Sequence, residues 1–172
     1  GNHYASAQLS HQGLTRVMQG IHPSHFAKEI APGGCFETPE AVLCCSDEGF
    51  GGLSKNMHTF VTDHIIRPYW RNRPRPVKYN SWEGCMFDFN QHRLLDLADR
   101  ARDLGCELFV LDDGWFGERN DDKAGLGDYN VNTKKLPRGM AGLADRVRAK
   151  GLQFGLWFEP ESVNPDSDLY RA

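Results

Sequence analysis

Three short clusters in the latter part of the sequence combine indoles with carboxylates: Trp82-Glu83, Asp112-Asp113-Gly114-Trp115 and Trp157-Phe158-Glu159-Pro160-Glu161. An aromatic face stacks on the apolar C–H patches of a sugar ring, and ionised carboxylates accept hydrogen bonds from its hydroxyls at charge-assisted strength. A carbohydrate is the small ligand that uses both at once. The candidate ligand-holding residues are therefore Trp82, Asp112, Asp113 and Trp157. Each has a plainer reading. Trp82 would serve as a core anchor, Asp112 and Asp113 would cap a turn, and Trp157 would pack within an apolar strand. Two adjacent carboxylates behind a buried strand repel each other unless a cation or hydrogen-bond donors meet them, which favours a binding role for the pair. Spacing does not rank Glu83, Glu159 or Glu161.

Paired carboxylates also invite an acid and nucleophile assignment of the glycosidase type, or a site for a hard divalent cation. Neither is compelled. The charged loop Gly117–Gly125 lacks the ordered ligand spacing of an EF-hand and reads as a solvated loop near the site. Gly49-Phe50-Gly51-Gly52 matches neither common phosphate-cradling pattern.

These clusters need elements to bring them together. After Pro76 the pattern alternates strand and helix: Val77–Trp82 as a strand, then a helix lined by Leu94, Leu97, Ala98, Ala101 and Leu104 and closed by Gly105. Leu108–Leu111 is an apolar run expected to form a strand covered on both faces. A helix lined by Met140, Leu143, Ala144 and Val147, closed by Gly151, leads to a strand over Leu152–Phe158. Such alternation predicts an α/β fold with a parallel sheet and right-handed crossovers. All strand C-termini then share one face, and the three clusters converge there.

Upstream, the rhythm from Thr15 to about Ser46 is all-β, with strands expected at Leu14–Ile21 and Ala41–Cys45 and a turn at Pro32-Gly33-Gly34. Leu53, Met57, Phe60, Val61 and Ile65 fall at helical spacing, with Ser54 as a candidate cap. The basic, proline-broken segment from Arg67 to Pro76 reads as a linker. The expected division is residues 1–50, 51–75 and 76–172.

The 172 residues carry 40% hydrophobic and 25% charged side chains and a net charge of -3. That excludes a disordered or collagen-like chain and gives no reason to expect nucleic acid or an anionic membrane as partner. No run approaches the ~20 apolar residues of a membrane helix. Five cysteines without a C-x-x-C pair point to reduced thiols and a cytoplasmic setting, with no metal. His22 and His25, flanking Pro23-Ser24, read as bystanders rather than ligands. The sequence starts at Gly1 without methionine and stops abruptly at Ala172, and is read as a fragment.

The runs Pro74-Arg-Pro-Val-Lys-Tyr-Asn-Ser-Trp82-Glu83, Phe87-Asp-Phe-Asn, Glu107-Leu-Phe-Val-Leu-Asp112-Asp113-Gly-Trp-Phe-Gly, Leu126-Gly-Asp128 and Phe154-Gly-Leu-Trp157-Phe-Glu159-Pro-Glu161 closely resemble the microbial α-galactosidases of glycoside hydrolase family 36. Phe36-Glu-Thr-Pro-Glu-Ala-Val-Leu resembles the end of that family's N-terminal β-supersandwich. The resemblance implies the tail of that sandwich, a connecting helix and linker, and the first three βα units of a TIM (β/α)8 barrel. It implies retaining hydrolysis of terminal α-linked galactose in melibiose- and raffinose-type sugars without a cofactor, in an enzyme that is a tetramer in several members. Asp112 and Asp113 match residues that hold galactose hydroxyls, and Trp82 and Trp157 match residues that shape the pocket. The family's nucleophile, in a Lys-Trp-Asp motif, and its acid/base are expected downstream of Ala172. Gly84-Cys85-Met86, Tyr129 and Ser162 depart from the family's usual Ala-Thr-Tyr, Trp and Met. The other readings are a non-catalytic carbohydrate-binding remnant and a metal-dependent sugar enzyme.

Overall fold

The computed structural model describes residues 3–24 and 26–172; the His22–His25 pair therefore falls partly outside the described residues. The chain divides into two compact units, Gly1–Asn72 and Arg73–Ala172.

In the first unit, strands β1 (His3–Leu9) and β2 (Thr15–Ile21) form an antiparallel hairpin, with Leu9 opposite Thr15 and His3 opposite Ile21. The pattern of β2 was legible; β1 was not expected, although Ala5, Ala7 and Leu9 alternate with Ser6 and Gln8. Ala41–Cys45 forms no strand, contrary to expectation. An extended run becomes a strand only where a neighbouring strand takes its backbone N–H and C=O groups; among the described residues no strand does so here, and Cys45 O accepts from the Asn56 side-chain amide at 3.4 Å instead. Helix α1 (Gly49–Phe60) runs into a π-turn at Val61–Ile65 and is followed by the single turn α2 (Pro68–Arg71). Ser54 does not cap α1. The helix starts five residues earlier, after Glu48, and its first residue, Gly49, takes φ 71°, a value glycine adopts without strain.

The second unit is built on a three-stranded parallel sheet in the order β3 (Lys78–Asn80), β4 (Leu108–Leu111), β5 (Gln153–Leu156). After β3 comes one turn of helix, α3 (Trp82–Cys85), then α4 (Gln91–Asp103); α5 (Gly139–Arg148) joins β4 to β5, and α6 (Asp168–Arg171) ends the chain. Phe109 and Leu111 of β4 are fully buried, against Leu94, Leu95 and Ala98 of α4 and Leu143 and Val147 of α5. Leu108 and Val110 point to the other face and are only half-buried, so β4 is covered fully on one face rather than on both. Gly105 and Gly151 close α4 and α5 at φ 85° and 87°.

Helix α4 owes its start to Asn90, whose side-chain oxygen accepts the Arg93 N–H at 3.0 Å. Asn90→Ala is expected to lower stability by about 1 kcal/mol; a thermal melt of the variant reads the loss. Among the described residues no helix is long and apolar enough to cross a membrane.

Candidate functional site

Strand β3 ends at Asn80, earlier than its apolar pattern implies, because the next residues turn sharply. Ser81, 1% exposed, donates its N–H to Val110 O at 3.0 Å, while its own carbonyl accepts the N–H groups of Gly84 and Cys85. Trp82 is therefore the first residue of a helical turn, α3, and not the last of a strand. Its N–H is held by Asn80 Oδ1 at 2.8 Å. The same Asn80 side chain donates from Nδ2 to Asp112 Oδ2 at 2.5 Å, and Ser81 Oγ accepts the Asp112 N–H at 3.0 Å. One amide side chain thus ties the Trp82 turn to the carboxylate at the end of β4.

Asp112 and Asp113 have different surroundings. Asp112 is half-buried, and Asp112 Oδ1 accepts the Asp113 N–H at 2.8 Å. Asp113 is buried and meets a cation: Arg119 Nε donates to Asp113 Oδ1 at 3.0 Å and Arg119 Nη2 donates to Oδ2 at 2.8 Å. The Gly114 N–H adds a bond to Oδ1 at 2.6 Å, and Arg119 Nη1 donates to the Ala124 carbonyl at 3.0 Å. The two side chains are only 5% and 8% exposed. Burial works against the Arg119 charge, but the Asp113 carboxylate outweighs it and holds the guanidinium above the ordinary arginine pKa. The loop Gly117–Gly125, expected to be solvated throughout, is thus anchored from within. The repulsion expected between adjacent aspartates is relieved by an arginine six residues on.

Trp157 falls one residue beyond β5, not inside the strand. Its N–H donates to Leu111 O at 2.9 Å and its carbonyl accepts the Trp115 indole N–H at 3.1 Å, which sets it beside the end of β4 from which Asp112 follows. Trp115, 2% exposed, is a core residue. Glu159 is held at both ends: Tyr129 Oη donates to its carbonyl at 2.6 Å and Ser162 Oγ donates to its Oε1 at 3.0 Å. Burial pushes the Tyr129 hydroxyl pKa up, which keeps it a donor. Two of the three departures from the family pattern, Tyr129 and Ser162, therefore converge on one residue. Glu83 and Glu161 are exposed.

The structure gathers Trp82, Asp112 and Asp113 into one hydrogen-bonded set with Trp157 on the neighbouring strand end. Sequence reasoning missed Asn80, Ser81 and Arg119. The adjacency of two aspartates signalled the need for a cation, but not which one. Among the described residues no group of three or more His, Cys, Asp or Glu side chains is placed to hold a metal ion.

Residues 35–172 match the family model described as Melibiase. The chain is 48% identical over 171 residues to α-galactosidase AgaA of Geobacillus stearothermophilus, covering 99% of this chain and 24% of that protein. Two crystal structures of AgaA variants, one in complex with 1-deoxygalactonojirimycin and one with raffinose, each match with a TM-score of 0.80 at 46% identity, covering 98% of this chain and 24% of theirs. The chain spans about a quarter of the length of the curated relatives it matches. The match across most of its length places the chain in the melibiase family, among relatives that are α-galactosidases of glycoside hydrolase family 36.

Proposed function

We propose that the enzyme carrying this chain is a retaining α-galactosidase acting on terminal α-linked galactose of melibiose- and raffinose-type oligosaccharides, and that this chain supplies part of its galactose pocket. The observation that carries the reading is the Asn80 bridge, which sets an indole-bearing turn and a carboxylate side by side at the C-terminal edge of a parallel sheet. Asp112, half-buried, accepts sugar hydroxyls directly. Asp113 receives four hydrogen bonds from the Gly114 N–H and the Arg119 guanidinium, as many as the about four lone-pair sites of a carboxylate, so a hydroxyl reaches it only by sharing one of them. Trp82 and Trp157 form the walls.

Residues 76–172 supply the first three βα units of a (β/α)8 barrel, residues 51–75 the connection, and residues 1–50 the end of a β-supersandwich. The three consecutive parallel strands in sequence order support this arrangement. Retention requires two carboxyl groups about 5–5.5 Å apart across the scissile bond. The nucleophile and the acid/base are assigned downstream of Ala172, and Asp112 and Asp113 are not promoted into those roles, since one bridges Asn80 and the other neutralises Arg119.

The test is hydrolysis of p-nitrophenyl-α-galactoside by the full enzyme, with the anomer of released galactose followed by NMR. Release of α-galactose first supports the reading, and absence of turnover or first release of the β-anomer overturns it. EDTA is expected to leave turnover unchanged. The 172-residue chain alone is expected to be inactive; measurable turnover by it would remove the catalytic pair from the downstream position.

A further inference from the structure

Lys135 stands in the 27-residue connection between β4 and α5, beside the exposed Lys134. An ammonium has three N–H donors and no acceptor. The Lys135 ammonium gives bonds to three backbone carbonyls, Phe87 O at 3.0 Å, Gly114 O at 2.9 Å and Arg119 O at 3.2 Å. The Phe89 ring lies 4.6 Å from Nζ, within cation–π range. Burial pushes the lysine pKa down, as expected for an ammonium that has exchanged water for carbonyl dipoles.

The three carbonyls belong to segments that position the sugar-holding groups. Phe87 follows α3, and its ring meets the Trp82 indole edge-on, with centroids 5.0 Å apart and planes at 89°. The Arg119 guanidinium lies 5.6 Å from the same ring. Gly114 directly follows Asp113 and sits at φ 92°, and Arg119 is the partner of Asp113. A Cβ built on Gly114 would come within 3.0 Å of the Phe87 ring, so the two segments are already in close contact. With Asn80 bridging the two on one side, the ammonium provides a second tie.

We propose that Lys135 is a positioning residue of the galactose pocket, its ammonium fixing the gap between the Trp82 wall and the Asp112–Asp113 acceptors by gripping Phe87, Gly114 and Arg119 at once. The inference rests on the α-galactosidase reading above. Arginine does not replace this lysine, because a planar fork does not reproduce three donors diverging from one nitrogen.

The experiment compares wild type, K135M, K135R and F87L of the full enzyme for 1-deoxygalactonojirimycin affinity and p-nitrophenyl-α-galactoside kinetics, well below each protein's melting temperature. K135M is expected to weaken inhibitor affinity and raise KM by up to about a hundredfold, the scale of a small misplacement of binding groups. K135R should not restore them. F87L keeps the backbone carbonyl and removes the ring on which Trp82 leans, so it should lose affinity with a smaller change in melting temperature. If K135M fails to fold, K135R decides the question in its place. V147A, which truncates a core residue of α5, should lower the melting temperature and leave affinity unchanged. Wild-type affinity in folded K135M, or in K135R if K135M does not fold, overturns the role of Lys135 while leaving the galactosidase reading intact. A wild-type enzyme that neither binds the inhibitor nor cleaves the galactoside overturns both.

Discussion

Asp113→Ala is expected to lower the stability of the enzyme by about 3–5 kcal/mol, because it strands the Arg119 guanidinium without its counter-charge. The size follows from burial rather than from the pair itself. Arg119 and Asp113 are 5% and 8% exposed at their side chains, so water cannot replace the lost carboxylate. An exposed pair such as Arg148 with Asp145, at 60% and 75% exposure, contributes at most about 1 kcal/mol. Asp113→Asn should fall between, since an amide oxygen keeps one acceptor for Arg119 without the charge. Equilibrium denaturation of the three proteins reads the order, and a loss below about 1 kcal/mol for Asp113→Ala would mean that Arg119 finds another acceptor. Galactoside turnover should also fall severely in Asp113→Ala, with unchanged kcat/KM removing Asp113 from the pocket.

Asp112→Ala should separate binding from stability. Its carboxylate is half-buried and tied to a neutral partner, the Asn80 amide, so truncation leaves no stranded charge. The loss should appear instead in catalysis. A hydrogen bond to a charged group is worth about 1.5–3 kcal/mol, and two hydroxyls held this way amount to a fall in kcat/KM of roughly a hundredfold or more at about 1.4 kcal/mol per decade. Steady-state kinetics alongside a melt test the contrast. A large fall in melting temperature with intact kcat/KM would assign Asp112 to the scaffold.

What the sequence disclosed follows from which interactions have a local signature. Helices α4 and α5 were legible because apolar residues recur at helical spacing and a glycine closes each. Strand β4 was legible as a short apolar run. Trp82, Asp112, Asp113 and Trp157 stood out by residue type. The ends of elements were less legible: β3 stops at Asn80 because Ser81 and Asn80 turn their polar groups onto the following backbone, and no periodicity registers that. Strand β1 was missed because its alternation rests on the small residues Ala5 and Ala7, a weak apolar signal. Arg119 was invisible for a different reason. Charged residues in a loop are usually solvated, and only tertiary contact shows that one of them is buried against Asp113.

The parallel sheet sets the terms on which such a loop can exist. Lys78 pairs with Leu108 and Leu108 with Gln153, sequence separations of 30 and 45. Neither pairing can form before its crossover closes, so the sheet assembles only as α4 and α5 fold back onto it. Closure entropy grows only with the logarithm of length, and the longer crossover costs about 0.4 kcal/mol more than the shorter. The additional chain between β4 and α5 therefore adds little to the folding barrier, and that added length is where Arg119 and Lys135 reside.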